Sequence, residues 1–478
     1  MQKLPLISAF LKIALPAAVC ALLAPLVHGA DSSAVGKRYP SEKHTLVDRV
    51  TGRTITVLTA SSFSDSKPYQ THDTWTADGR WLVFRSQRAA AAGTGAGAGG
   101  QIFVVNEITG DIVQLTDNPV TDTGSINLSR KEMKLFYKRG GPPPRRRAAP
   151  ADDAGAPQAH PPAQVIELDL GALLADSLAG QVKAPESYER VVVTLPADAQ
   201  GGGFALDAGE KTLYWNVSLW RPEAPPRQQP DTARDAKGNR QVDNRNTDPA
   251  ESREAARQRF AEAGRGKSAI RAIDIATGEI RDVITVDLRM GHMQANPWTP
   301  GEIIYCHETT GDVPPPFNRI WAVNADGTNN RPAYAELPDE WVTHETVAGP
   351  DELLFNIMGH LPYLREHGTG IAVVNLRTRE MKLLGQVEEP MPNGTKGGFW
   401  HCNGSPDGRW AVGDTFLGSV YAINRATGKR TLLTAGHKMR PDHTHPIVSP
   451  DSKRVAIQSG LLTDGKALNI MVVSLPEE

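Results

Sequence analysis

Seven stretches of the chain share one hydrophobic pattern. In each, a turn rich in Pro, Asp and Gly precedes a run of alternating or continuously apolar residues with many β-branched or aromatic members, which is typical of a strand. The seven stretches begin at Trp75, Leu128, Leu206, Asn296, Val347, Gly404 and Val448. Most are followed by a second apolar run, a Thr-Gly or Asp-Gly hairpin and a third run, as in SVYAINRATGKRTLLT. The chain is therefore predicted to repeat one small antiparallel unit.

Four strands joined by tight turns form the blade of a β-propeller. Seven such units predict an all-β fold, a seven-bladed β-propeller. The N-terminal hairpin HTLVDRVTGRTITVLTAS has no turn and strand of its own before it, and the chain ends on LNIMVVSLP after the seventh turn. We therefore expect N-terminal strand residues to complete the last blade beside Met471 to Leu475, so that no sheet edge stays open.

The first 30 residues differ in composition from the repeats. A lysine at position 3 is followed by an apolar stretch from about Leu4 to Val27 and by small residues at Gly29 and Ala30. This order predicts a secretory signal peptide over residues 1–30. An uncleaved membrane anchor is the alternative, but the prolines within the stretch and the small residues after it favour cleavage. The mature protein is then expected in the periplasm or outside the cell.

The propeller is expected to occupy residues 31–478, interrupted by three low-complexity inserts. The inserts lie near residues 89–100, 140–163 and 221–267, and are rich in Gly and Ala, in Pro and Arg, and in charged residues respectively. Such sequences favour flexible loops, here on the faces of the propeller. No stretch after the signal peptide is long and apolar enough to span a bilayer.

Net charge and cysteine content narrow the range of binding partners and of stabilising cross-links to be expected. The formal net charge of -2 and the pI near 6.7 provide no global basic field, so nucleic acid is not expected as a partner. Of the three cysteines, Cys20 lies in the predicted signal peptide, which leaves Cys306 and Cys402. Two cysteines do not form a disulfide scaffold, and the sequence leaves open whether they pair.

Histidines recur at one position of the repeat. His72, His344, His401 and His445 each stand three residues before the same reference position of their own repeat. Histidine occupies only 13 of 478 positions, so this recurrence is not expected by chance. Equivalent positions on the innermost strands of a propeller face one central channel, and these imidazoles are therefore expected to converge. His443, two residues before His445, should face the same side because strand side chains repeat every two residues.

Converging neutral imidazoles form a site for a borderline divalent cation such as Mn, Zn, Fe or Ni. A lone histidine is more often a hydrogen-bonded structural residue. His72 is the member closest to that alternative, as a structural or a substrate-facing residue. Glu308 and Glu345 each follow a histidine directly, so they should point to the opposite strand face. They are expected to support the ligands rather than to bind the cation.

From Gly291 to its C-terminus the chain resembles the oligogalacturonate lyases. The motifs that carry the resemblance are GHMQANP from Gly291, YCHETTGD from Tyr305, WVTHE from Trp341, HCNGSPDGRWAVGD from His401 and HTHPIVSPD from His443. The first half of the chain is similar only to generic TolB-like propeller repeats. The resemblance implies a seven-bladed propeller enzyme with a manganese-type ion in its central channel.

The resemblance also implies which residues hold the ion and which removes a proton. The family's metal-binding histidines correspond to His344, His443 and His445, and its catalytic base corresponds to His292. The family's glutamine ligand, three residues before the first histidine of the His-x-His-Pro motif, falls on Arg440. A guanidinium has no lone pair to give a cation, so the chain departs from the family at this position.

The departure at Arg440 changes two expectations. The fourth metal ligand is predicted to be His401 or a water molecule. Arg440 is predicted to meet a substrate carboxylate instead, because a guanidinium can bind a carboxylate through two hydrogen bonds. Arg271 is a second candidate for substrate binding, and His72 is also predicted to face the substrate. Arg289 and Arg319 are further candidates that are equally consistent with ordinary surface residues.

The chemistry implied by this site is an elimination. In a 4-linked uronate the C5 proton lies next to the C6 carboxylate, where negative charge builds when that proton is removed. A divalent cation on the carboxylate and an imidazole base with a pKa near ~6.5 suit this step at neutral pH. Loss of the C4 oxygen then leaves an unsaturated sugar. The predicted function is a metal-dependent lyase that acts on short oligosaccharides of galacturonate or a related uronate, and the family resemblance implies Mn as the first candidate for the metal, with Zn, Fe and Ni as alternatives.

Two other functions remain open from the sequence. A non-catalytic TolB-like periplasmic propeller that binds a protein partner would need no metal and no converging histidines. A propeller hydrolase would use the same metal but would consume water. Its products would lack the conjugated double bond that absorbs near the ultraviolet edge.

Overall fold

Seven antiparallel sheets follow one another along the chain in a computed structural model of the protein. The structure describes residues 33–89, 100–141, 161–197, 200–220, 266–308, 318–337, 340–359, 369–390 and 396–477. Residues Ala34–Glu478 form one compact unit. The predicted signal peptide and most of the three predicted inserts lie outside the described residues.

The sheets are the blades of a propeller, numbered here 1 to 7 in chain order, and their strands are given in the order in which they pair. Blade 1 contains Trp81–Ser86, Gln101–Asn106, Ile112–Gln114 and Arg38–Tyr39; blade 2 contains Thr121–Leu128, Lys134–Arg139, Gln164–Asp169 and Glu189–Thr194. Blade 3 contains Gln200–Leu206, Thr212–Trp220, Lys267–Asp274 and Ile280–Val286; blade 4 contains Met290–Ala295, Glu302–His307, Ile320–Asn324 and Arg331–Pro332.

The remaining three blades complete the ring. Blade 5 contains Glu340–Gly349, Glu352–Gly359, Gly370–Asn375 and Met381–Gln386; blade 6 contains Phe399–Gly404, Trp410–Thr415, Val420–Asn424 and Arg430–Thr434. Blade 7 contains Ile447–Val448, Arg454–Ser459, Asn469–Ser474, Thr54–Val57 and His44–Val47. A small hairpin of Glu389–Pro390 and Lys396–Gly397 lies between blades 5 and 6 in the chain. Six of the seven predicted turn-and-strand stretches lead into the second strand of a blade, and the stretch from Trp75 leads into Trp81–Ser86 of blade 1, so the predicted seven-bladed β-propeller is confirmed.

The ring is held together by apolar side chains packed between neighbouring blades. Seven buried clusters each join two successive blades, including one that joins blade 7 back to blade 1. In that closing cluster Leu82 and Phe84 of blade 1 are buried against Ala456 and Ile470 of blade 7. Burial of a side chain of this size contributes roughly 1.5–3 kcal/mol, so every blade depends on both of its neighbours.

The N-terminal strand closes the ring in the manner expected from the sequence. Thr54–Val57 pairs antiparallel with Asn469–Ser474, with Ile55 opposite Val473 and Val57 opposite Met471. The side chains of Ile55 and Val57 are fully buried. The two ends of the chain therefore form one sheet, which leaves no unpaired edge at the junction.

One α-helix within the described residues was not predicted. It spans Leu170–Ala179 in blade 2, between the third and fourth strands. The Asp169 carboxylate accepts a hydrogen bond from the amide of Ala172, and Gly180 ends the helix with a left-handed backbone, as is common at helix termini. Among the described residues, no helix is of a length and apolar character that would let it cross a membrane.

Cys306 and Cys402 are both buried and not bonded to each other.

Two buried histidines outside the channel predict a loss of stability in acid. His437 contacts Thr434 and Ser459 through its two ring nitrogens, and His307 stacks on Trp321. Burial lowers the pKa of each to about 4, whereas the unfolded chain binds these protons near pH ~6.5. Their contribution is therefore complete above that pH and is lost as the pH falls to about 4, by roughly 3 kcal/mol for each residue.

The measurement is urea denaturation of the chelator-treated protein between pH 7 and pH 4. The variant His437→Gln keeps a hydrogen-bonding side chain that does not titrate. Its free energy of unfolding should approach that of the wild type as the pH falls. A difference between the two proteins that is constant with pH would contradict the assignment to His437.

Candidate active site

Five imidazoles from four consecutive blades meet at one place. His292 comes from blade 4, His344 from blade 5, His401 from blade 6, and His443 and His445 from the segment that leads into blade 7. The ring centroid of His401 lies 4.3 Å from that of His344, 3.9 Å from that of His445 and 5.2 Å from that of His443. The His292 ring lies 5.9 Å from the His344 ring. The structure thus brings together the predicted base and all four predicted metal ligands.

Irregular backbone turns these rings toward each other. His292, His344 and His445 have φ values of 44°, 55° and 44°, in the left-handed region that few residues other than glycine adopt. In blades 4 and 5 a shift of strand register spans the histidine, and such bulges re-aim side chains beside functional sites. The residues from 441 to 446 form no regular strand. His443 and His445 therefore share the site because of local backbone turns and not because of the two-residue period expected from the sequence.

Three of the rings have their Nδ1 atoms bound by acceptors of the protein. The pairs are His344 Nδ1 with the Trp400 carbonyl, His401 Nδ1 with Asp414 Oδ1 at 3.0 Å, and His445 Nδ1 with Gln70 Oε1 at 2.9 Å. A neutral imidazole that donates from Nδ1 carries its lone pair on Nε2. Acceptors of this kind fix the tautomer and ring orientation of metal-binding histidines, so the donor set fits a divalent cation.

His443 is the fourth histidine that could donate a nitrogen to a cation. Its Nδ1 is buried and has no hydrogen-bond partner among the described residues. One ligand atom each from His401, Asp414 and His443 lie within 4.8 Å of one another. Burial lowers the pKa of His401 to about 3 and also lowers the pKa of His443 and of His344. The rings are therefore neutral at pH 7, the form that binds metals.

Asp414 links the two histidine-bearing segments of blades 6 and 7. Its carboxylate is completely buried. Oδ1 accepts from the backbone N–H of His401 at 2.8 Å as well as from its ring, and Oδ2 accepts from Thr444 Oγ1 at 2.9 Å and from the His445 N–H at 3.1 Å. Burial acts to raise the pKa of Asp414, but the electrostatic interaction and the hydrogen bond with the His401 ring hold it well below its ordinary value. Asp414 is thus an ionised carboxylate that positions residues of two blades.

A second group of charges surrounds His292. The completely buried carboxylate of Glu345 places Oε1 3.3 Å from His292 Nδ1, and Glu308 Oε1 lies 3.9 Å from His292 Nε2. Arg319, only 4% exposed, places Nε 3.8 Å from Glu345 Oε2. Burial opposes ionisation of Glu345, yet His292 and Arg319 hold its pKa below the ordinary value. Glu345 is therefore an ionised carboxylate beside His292, its supporting role stays a prediction, and Arg319 is a buried residue next to it and not a surface residue.

Three predicted substrate-binding residues lie apart from the histidine cluster or at its margin. His72 contacts Thr71 Oγ1 through Nδ1 at 2.9 Å and the Phe204 carbonyl through Nε2 at 2.8 Å. Arg271 lies on the third strand of blade 3, where its Nε pairs with Asp282 Oδ1 at 2.9 Å. Arg440 is exposed on the segment that precedes His443. None of these positions tests substrate binding, so the three roles remain predictions.

Blade 1 explains why His72 does not follow the other histidines. Residues 66–75 form only isolated bridges, between Ser66 and Arg85 and between Trp75 and Leu82, in place of a regular first strand. Counting back from Trp75 therefore does not reach the equivalent position. The Tyr69 ring lies beside the cluster instead, 5.1 Å from the ring of His445 and 5.4 Å from that of His292.

The sequence did not reveal several residues of the site. These are Lys67, Tyr69, Gln70, Asp414 and Asp442. The first three lie in a stretch without a repeat position, so no pattern marked them. Lys67 is only 1% exposed, and burial lowers its pKa to about 7 against the opposing charges of Asp414 and Asp442. Asp414 could have been found, because it stands opposite His401 in the predicted hairpin of blade 6.

Comparisons with known proteins support the resemblance noted in the sequence. No family model matches the chain. An oligogalacturonide lyase of Pectobacterium atrosepticum is 28% identical over 213 residues, and an oligogalacturonate lyase of Dickeya dadantii is 27% identical over 213 residues. Each alignment covers 41% of this chain and 52% of the relative. The chain thus spans about half the length of these curated relatives, and the resemblance to oligogalacturonate lyases is confirmed.

A solved structure has the same architecture. An oligogalacturonate lyase in complex with manganese superposes with a TM-score of 0.66, covering 93% of this chain and 99% of that chain at 21% identity. An identity this low establishes the shared fold alone. The seven-bladed ring is therefore common to both proteins.

Proposed function

We propose that the protein is a metal-dependent lyase that cleaves 4-linked uronate oligosaccharides by β-elimination. The observation that carries the proposal is the set of three imidazoles, His344, His401 and His445, whose Nδ1 atoms are bound and whose Nε2 lone pairs remain for one ligand. His292, backed by Glu345, lies beside them. The activity given for both curated relatives supports the reaction class.

The cation is proposed to be held by His344, His401, His443 and His445. Imidazole nitrogens suit Mn, Zn, Fe and Ni, and the manganese complex of the protein with the same fold supports Mn as the first candidate. When bound, a divalent cation supplies positive charge to the C6 carboxylate of the substrate, where negative charge develops as the C5 proton leaves.

His292 is proposed to remove that proton. The Glu345 carboxylate faces Nδ1 at 3.3 Å, which favours the tautomer with the proton on Nδ1 and the lone pair on Nε2. Nε2 then accepts the C5 proton, and the resulting imidazolium is stabilised by the carboxylates of Glu345 and Glu308. Expulsion of the C4 oxygen, which takes up a proton from solvent, breaks the glycosidic bond and forms the double bond between C4 and C5, and His292 then returns its proton to solvent.

The predicted signal peptide and the residues near the site lead to a proposed location and a proposed class of substrate. Residues 1–30 are proposed to direct the protein to the periplasm or out of the cell, where it would meet uronate-containing oligosaccharides from outside. Arg440 replaces the glutamine of the family, so a uronate related to galacturonate is included among the proposed substrates. Arg440, Arg271 and His72 are proposed to contact substrate on sequence grounds only.

The test is to incubate manganese-loaded protein with a panel of uronate oligosaccharides and to follow ultraviolet absorbance. We expect absorbance from the unsaturated product on at least one member of the panel, loss of activity with a chelator and recovery on adding Mn²⁺. New reducing ends without absorbance would favour the hydrolase. Absence of both activity and bound metal, measured by elemental analysis, would favour the non-catalytic propeller and would refute the lyase.

A further inference from the structure

We propose that Asp442 supplies an oxygen ligand to the cation of the histidine cluster, an inference that rests on the metal site of the proposed function. Asp442 Oδ1 lies 3.1 Å from His445 Nε2. His445 Nδ1 is bound to Gln70 Oε1, so Nε2 is the nitrogen left for a metal. The carboxylate therefore meets this histidine at its ligand atom.

The contact between these two atoms calls for a positive charge beside them. Because Nδ1 is bound to the amide oxygen of Gln70, Nε2 is the ring nitrogen of His445 that can bind a cation. The Asp442 carboxylate oxygen is the hydrogen-bond partner of this nitrogen, and a cation that took the place of the shared proton would lie against both atoms. Two ligand atoms at right angles on one cation, each about 2.1 Å from it, are about 3.0 Å apart. The separation observed thus matches that of two ligands on one metal.

Other residues hold the carboxylate in this orientation. Asp442 Oδ1 accepts the backbone N–H of His443 at 2.9 Å, and Oδ2 accepts Gln458 Nε2 at 3.0 Å. The same Gln458 amide nitrogen donates to the His443 carbonyl at 3.0 Å. Gln458 is 2% exposed on the second strand of blade 7. Asp442 is therefore oriented before any ligand binds, as the outer contacts of metal-binding residues commonly ensure.

An oxygen ligand here would account for the presence of Arg440 two residues earlier. The guanidinium cannot ligate, whereas the carboxylate of Asp442 approaches the cluster from the same segment. A carboxylate also favours harder cations such as Mn²⁺ over a site built of imidazoles alone. Asp442 would thus supply the oxygen donor that the sequence had left to a water molecule.

The test measures binding of Mn²⁺ and Zn²⁺ separately by equilibrium dialysis of the full chain. Asp442→Asn should lower Mn²⁺ affinity by about 10–100-fold or more, and Zn²⁺ affinity by less, because imidazoles bind Zn²⁺ well without the carboxylate. Asp442→Glu, which keeps a carboxylate, should recover most of the Mn²⁺ affinity. The matched control is Asp464→Asn, which removes an exposed carboxylate paired with Lys438.

The outcomes separate this inference from the function on which it rests. Equal loss of both metals in Asp442→Asn, or no loss of either, would overturn the ligand role. The ligand role would also be overturned if Asp442→Glu unfolded at the same temperature as the wild type but did not recover Mn²⁺ affinity. Wild-type protein that binds neither cation would overturn the proposed function itself, and the inference with it.

Discussion

Replacement of His292 by alanine should lower kcat for elimination by about 10²–10⁴-fold, the usual contribution of a general base, while leaving bound metal unchanged. The imidazole is held beside the cluster by Glu345 at 3.3 Å and its ring lies 5.9 Å from that of His344. No other described histidine of the cluster has a carboxylate at Nδ1 and an Nε2 outside the proposed ligand set. The measurement is initial rate by ultraviolet absorbance, with metal content by elemental analysis.

The control for this variant is His437, a buried histidine outside the cluster. His437→Gln should retain wild-type kcat at pH 7, since His437 contacts only Thr434 and Ser459 through its ring nitrogens. A Glu345→Gln variant should weaken the base without removing it and so change the pH profile of kcat. Full activity in His292→Ala would remove the base assignment and leave the metal site in place.

Asp414→Asn should have the second largest effect, on metal affinity and on stability together. An asparagine has one acceptor oxygen and one NH₂ group in place of two acceptors. In either orientation one backbone N–H, of His401 or of His445, would face an NH₂ group and lose its acceptor. A buried donor without a partner costs about 1–3 kcal/mol, and loss of an outer contact to a metal-binding histidine costs about 10–100-fold in affinity.

Urea denaturation with and without Mn²⁺ would measure both effects. The free energy of unfolding should fall in the metal-free protein, and the added stabilisation by Mn²⁺ should also shrink, since a ligand stabilises only as strongly as it binds the folded state. The exposed Asp464→Asn serves again as the control. Unchanged Mn²⁺ affinity in Asp414→Asn would show that Asp414 ties the blades together without tuning the site.

Much of the fold could be predicted because its signals are local. A turn followed by a strand is encoded within about a dozen residues, and seven such stretches sufficed to predict seven blades. The hairpin without a partner at the N-terminus predicted the pairing of Ile55 with Val473. The helix Leu170–Ala179 was not predicted although Asp169 and Gly180 are favourable caps, because it is short and lies inside a blade at a place that the strand repeat does not mark.

The candidate site was predicted in part, as far as the repeat extends. His344 and His401 converge because they lie on the inner strands of neighbouring blades, and His445, at the same position of the repeat, reaches them from a segment that forms no regular strand. His72 does not join the cluster because blade 1 has no regular first strand. The ring of Tyr69 lies beside that of His445 instead. The spacing of three residues before the reference position therefore predicts a place beside the cluster only in blades that have a first strand.

By itself, the sequence determined the strands, the number of blades, the closure of the ring and the convergence of His344, His401 and His445. Only the tertiary structure decided which nitrogen each histidine presents and which carboxylate supports it. The reason is distance along the chain: Gln70 binds His445 from 375 positions away, and Trp400 binds His344 from 56 positions away. Such contacts arise from ring closure and blade packing, which no local pattern of residues encodes.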